Sequence, residues 1–156
     1  MTLEITGIDE VRWQLRRVNQ LLDSNKPMEN ICKDVEERIL KRTDAGRDYK
    51  NMSFAPYSTK YAKKKGVGTG SVNLRLTGTM LGAIETKVFN PNHGQVLITS
   101  RAMAGTSAKS DMIAQIHTTG TGKQPKREFM NITKTALQES VNKHYDDEIM
   151  RILGRR

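Results

Sequence analysis

From Ile8 the apolar residues fall at Ile8, Val11, Leu15, Val18 and Leu22, alternately three and four apart. That spacing draws one stripe along a helix, with Gly7 before it and Asp9 and Glu10 in the first turn, where the helix dipole favours acids. Trp13 lies off the stripe, either as an exposed interface anchor or as packing at the core boundary. Asp23-Ser24-Asn25-Lys26-Pro27 is turn chemistry, and Pro27 suits the first helical position. A second helix then carries Met28, Ile31, Val35 and Ile39 on one face and ends between Thr43 and Gly46. Two antiparallel helices joined by a short loop are expected, with apolar stripes that need a third surface.

The strand-like runs Ile84–Phe89 and Gln95–Thr99, separated by Asn90-Pro91-Asn92-His93-Gly94, predict a hairpin that supplies that surface. Residues 2–6 alternate and read as a short edge strand or an arm. Residues 101–110 read as a flexible loop, and 111–117 as either a turn of helix or an extended segment. Residues 118–126 read as loop, and Arg127–Ile132 as a further strand. Thr133 caps a last helix: Ile132 can staple to Leu137, and Val141, Tyr145, Ile149 and Ile152 continue its face, before a basic end at Gly154-Arg155-Arg156. The sum is an α+β fold, a small antiparallel sheet packed by two N-terminal helices and a C-terminal helix, with long flexible loops or arms. A single domain is expected, divided into a two-helix part (8–43), an arm (44–73) and a sheet with the C-terminal helix (74–153).

Composition sharpens this picture in two places. Of 156 residues, 36% are hydrophobic and 5% aromatic, so the core is small and surface is left over for a partner. The net charge is +9, and nine cations (Arg38, Lys41, Arg42, Arg47, Lys50, Lys60, Lys63, Lys64, Lys65) lie between 38 and 65 against the acids Asp44 and Asp48. Such a block attracts a polyanion, with nucleic acid the default candidate, or else is a solvated basic loop or one that pairs with an acidic protein surface. Tyr49, Phe54, Tyr57 and Tyr61 interleave with it, a mixture that can stack bases and bind phosphates, although at least one of Phe54 and Tyr57 is expected to pack onto the core.

The segment from Phe54 to Ile84 reads as a tethered arm. A short helix capped by Ser58 or Thr59 hangs between flexible joints, and the chain regains order at Leu74–Gly78, with Met80, Leu81 and Ile84 at helical spacing. The residues expected to face a partner or DNA are Arg47, Lys50, Phe54, Tyr57, Lys60, Tyr61, Lys63, Lys64 and Lys65.

Little else points to chemistry. The single cysteine, Cys32, excludes an internal disulfide and a cysteine-based zinc site, and is expected half-buried on its helix. His93, His117 and His144 are scattered, and His117 is expected in a structural hydrogen bond. Asp146, Asp147 and Glu148 point in different directions on a helix. Gly66-x-Gly68-x-Gly70 lacks the dinucleotide spacing. Gly120-Thr121-Gly122-Lys123 lacks the first glycine and the final hydroxyl of a phosphate-binding loop. No nucleophile has a neighbouring base, so no enzyme, cofactor or metal is expected. No apolar run approaches the roughly 20 residues that span a bilayer, and the acidic start MTLEITGIDE lacks a basic leader region, so a cytoplasmic origin without membrane attachment is expected.

Four short motifs resemble the tailed-phage virion morphogenesis family, which includes Mu G-type tail-completion and head-to-tail joining proteins. They are Phe54-x-Pro56-x-Ser58-x-x-Tyr61-x-x-x-Lys65, Leu76-Thr77-Gly78 followed by Ile84, Ala114-x-Ile116-His117-x-x-Gly120, and Pro125-x-Arg127-x-Phe129-Met130. The match runs in order over about residues 45–150 and departs at Thr118 and Thr119, where the family often has glutamine and an aromatic residue. The resemblance implies a structural subunit of the phage neck or tail that forms a homo-oligomeric ring, most simply a hexamer. Its implied partners are the head–tail connector, tail tube or tail terminator proteins and packaged DNA, in the virion or in the host cytoplasm during assembly. The alternative from the residues alone is a basic nucleic-acid-binding module using residues 38–65.

Overall fold

The computed structural model describes residues 7–104, 106–121 and 124–154. The expected edge strand or arm at 2–6, Gly122 and Lys123, and the basic end at Arg155 and Arg156 lie outside the described residues.

The fold is α+β and is organised around its second helix. Helix α1 spans Ile8–Leu22 and α2 spans Lys26–Asp44. Pro27 sits in the first turn of α2, Glu29 beside it, and Lys41 and Arg42 close the last turn, each charge matching the helix dipole. The α2 stripe of Ile31, Val35 and Ile39 is buried. Strands β1 (Ile84–Asn90) and β2 (His93–Ile98) form the antiparallel hairpin, pairing Ile84 with Ile98 and Thr86 with Val96, with an irregularity between Val88 and Asn90. Both strands pack on α2. The approach is close because Gly94 faces α2: a Cβ there would stand 2.5 Å from Cys32 Sγ. Cys32 is therefore fully buried rather than half-buried, and burial pushes its thiol pKa up.

Two expectations about the helices need correction. The stripe of α1 does not join the core: none of its residues is buried, and its main packing partner is a C-terminal helix rather than α2. The segment Arg127–Ile132 adds no strand, and the described sheet has two strands only. The segment is irregular backbone that turns at Phe129, which is fully buried, with its carbonyl accepting from Arg42 Nη2 at 2.6 Å.

The open segment at 111–117 is helix α4, Ser110–Thr119, stopped by Gly120 in the left-handed conformation. The loop before it is closed at its base, where Arg101 N donates to Ser110 Oγ at 2.7 Å and Ser110 N to Arg101 O at 3.0 Å. The C-terminal helix comprises α5 (Lys134–Val141) and α6 (Asp147–Ile152), joined by a π-helical turn at Asn142–Asp146. Thr133 caps it through Ala136 N, as its sequence predicts. Asp34 of α2 holds His144 at 2.9 Å and Lys143 at 3.1 Å, and Tyr145 Oη donates to Pro91 O at 2.8 Å, so this turn is tied to both α2 and the hairpin.

The segment expected as a free arm is folded onto the body. Helix α3, Thr59–Lys65, begins at Ser58, whose Oγ accepts from Tyr61 N, and ends at Gly66 in the left-handed region. Phe54, Tyr57, Ala62, Val72 and Leu74 all lie in the main core with α2 and Phe129. The glycine-rich stretch is hydrogen-bonded too: Tyr57 N donates to Thr69 O at 2.9 Å. The two ends of the segment meet at Gly46, which has φ of 74° and whose absent Cβ would lie 2.8 Å from Val72 O. Gly46→Ala meets both a left-handed backbone and a main-chain clash. It should lower stability by about 2 kcal/mol or more, read as a shift of the urea midpoint with unchanged slope.

Candidate functional site

The nine cations between 38 and 65 do not form one patch. Arg38 pairs with Glu139 at 3.0 Å. The side chain of Arg42 donates to the carbonyls of Phe129 and Asn131. Arg47 Nη1 donates to Asn51 O at 3.0 Å, and Lys50 lies over the Tyr49 ring at 5.4 Å. Lys65 Nζ donates to Asn73 Oδ1 at 2.6 Å and to Tyr57 Oη at 3.0 Å. These five are occupied in holding the fold or in contacts with their neighbours. Lys41, Lys60, Lys63 and Lys64 are exposed and make no ion pair or side-chain hydrogen bond with another described residue.

Lys60, Lys63 and Lys64 share one face of α3 because Ala62, on the opposite face, is buried. Of the interleaved aromatics, Tyr49 and Tyr61 are half-buried. Phe54 and Tyr57 are both buried, and Tyr57 meets the half-buried Tyr61 with ring centroids 4.9 Å apart. Of the nine residues expected to face a partner, Phe54, Tyr57 and Lys65 thus serve the interior, because the short helix needs an apolar underside to dock. Lys60, Lys63 and Lys64 are exposed.

Beneath α3 lies a cavity of about 320 Å³ lined by Tyr57, Tyr61, Leu74, Met80, Ile113 and His117 among others. All four motif segments reach it. Arg127 Nε and Nη2 donate to Ala55 O and Pro56 O, each at 3.0 Å, and its guanidinium lies over the Tyr57 ring at 5.4 Å. Arg127 N donates to His117 O at 2.7 Å. Burial pushes the Arg127 guanidinium pKa down, with the Tyr57 and Tyr61 rings opposing.

The His117 carbonyl accepts the bond from Arg127 N, but the structural hydrogen bond expected of the side chain is not seen: ring Nδ1 is buried without a partner among the described residues. Burial, and then the charge of Arg127, pull the imidazole pKa down to about 4. The ring is neutral at pH 7. Among the described residues no group of three or more His, Cys, Asp or Glu is placed to hold a metal.

The second exposed feature is α1. Ile8 (49% exposed), Val11 (54%), Leu15 (56%) and Leu22 (45%) face solvent along one side, and only Val18 of the stripe is half-buried. The helix rests on the body through Gln14, Val18 and Leu21, a line about 70° around from the apolar stripe at about 100° per residue. Trp13 points outward, 46% exposed, with Arg17 over its ring at 5.5 Å. No helix among the described residues is long and apolar enough to cross a membrane.

The sequence did not single out Arg127 and Phe129 except through a motif. Their signal was an arginine two residues before an aromatic, in a stretch read only as a further strand. No protein-family model, curated protein or solved structure matches this chain.

Proposed function

We propose that this protein is a structural subunit of a tailed phage, acting at the neck or in tail completion. In this reading it joins copies of itself in a ring at the head-proximal end of the tail and permits head-to-tail joining. The observation that carries it is that the four motif-bearing segments close around one cavity, and that three of them bond to one another through Arg127 and the His117 carbonyl. Residues that resemble a family in order also act as one structural unit.

The exposed stripe of α1 supports the assembly part of the reading. A monomer gains nothing by leaving Ile8, Val11, Leu15 and Leu22 in water, whereas a neighbouring copy that covers them recovers about 25 cal/mol per Å² buried. A contact between unlike faces that closes by rotation gives a ring, and six copies match the symmetry of a tail.

Leu15→Asp should leave the monomer folded, since an exposed position changes stability by about 0.5 kcal/mol or less. It should abolish the oligomer seen by light scattering coupled to size exclusion. An unchanged oligomer would remove α1 from the interface. The function itself is tested by electron microscopy of lysates from a phage or prophage lacking this gene. Full heads beside separate tails are expected; normal infectious particles would overturn the reading.

A further inference from the structure

The outward face of α3 has no explanation in the fold. Ala62 packs inward, Tyr61 closes the cavity wall and Lys65 is bonded to Tyr57 and Asn73, so the helix is secured without Lys60, Lys63 or Lys64. These three stand at i, i+3 and i+4, with Cβ atoms about 5–6 Å apart, and none meets an acid among the described residues. Like charges at this spacing repel, a cost that a polyanion would reverse.

We propose that this lysine face binds the phosphate backbone of duplex nucleic acid without reading its sequence. Two observations favour that partner over an acidic protein. A protein interface is centred on buried aromatic, apolar or arginine anchors and is depleted in lysine, yet the outward side of α3 offers only Thr59 and lysines. Lysine ammonium groups suit phosphates as point charges. The structure also takes Phe54 and Tyr57 away from base stacking, because both are buried, and Tyr61 is half-buried against Tyr57. What remains is charge, and charge follows a helical backbone whatever its bases. The inference stands on α3 alone and does not require the ring.

The test is fluorescence anisotropy of two labelled duplexes of unrelated sequence, titrated with the full chain at salt steps from 50 to 200 mM. The wild-type protein is compared with the Lys60→Gln, Lys63→Gln, Lys64→Gln triple variant, and poly-glutamate serves as competitor. Three neutralised phosphates give a slope of about −2.7 in log K against log salt for each protomer engaged, or a loss of about 40-fold over that range. Equal affinity for both duplexes is expected. In the triple variant, unchanged in thermal midpoint, the slope should fall by about 2.7. Three outcomes would overturn the proposal: no duplex binding at 50 mM salt, a triple variant that binds like wild type, or poly-glutamate that binds the same lysines more tightly than duplex. The last would make the face a dock for an acidic protein.

Discussion

Phe129→Ala should be the most damaging single substitution in this chain, costing about 3–5 kcal/mol of unfolding free energy. Phe129 is fully buried, and it lies in one core with Ile39 of α2, Tyr57 and Leu74. The loss combines the transfer free energy of a phenyl ring with an unfilled void, and the void cannot collapse easily. The Phe129 backbone is fixed by Arg42 on one side and by the Phe129 N to Arg127 O bond of 2.9 Å on the other. Against the roughly 5–15 kcal/mol that stabilises a typical domain, such a loss leaves little margin. Urea unfolding of the soluble variant, followed by far-ultraviolet circular dichroism, measures it. A change under about 1 kcal/mol would mean that the segment 127–132 is not integral to the core.

Acid should destabilise the protein through His117. Its folded-state pKa of about 4 lies below the ordinary value of 6.5, so the unfolded chain takes up the proton first. Stability from this group is complete above about pH 6.5 and is lost progressively as pH falls toward 4. At pH 4.5 the difference amounts to about 2.5 kcal/mol. Carboxylates titrate in the same window, so the measurement is a comparison: unfolding free energy at pH 7 and pH 4.5 for wild type and for His117→Gln. The variant should lose about 2.5 kcal/mol less over that interval. Equal losses would show that the ring protonates without penalty in the folded state.

The elements with a strong period were legible before the structure. The 3–4 spacing marks α1 and α2, alternation around a Pro-Asn turn marks the hairpin, and Thr133 marks the start of the last helix. What could not be read was which faces meet. The stripe of α1 is as regular as that of α2, yet one is exposed and the other forms the core, because periodicity specifies a face and not its partner. The arm failed for a related reason. Glycine and lysine in 60–73 suggested a solvated tether, but Ser58, Gly66 and Gly46 are capping and close-approach residues that fix this segment. Charge was the poorest guide to the site: nine cations made a block in sequence, and the fold leaves only three on the outward face of α3. Arg127 was hidden because nothing local distinguishes an arginine that will donate to carbonyls over seventy residues away.

The π-helical turn at Asn142–Asp146 acts as a phase shifter in the C-terminal helix. An α-helix presents one face along its whole length, but a wider turn rotates everything beyond it relative to what came before. Before and within the turn, the helix serves α2; beyond it, α6 serves α1. One continuous element thereby faces two partners in different directions. The aim of the exposed α1 stripe is therefore set by the register of five residues whose own packing partner is α2. A one-residue insertion or deletion there would leave every surface intact in composition and point the stripe away from any neighbour built to receive it.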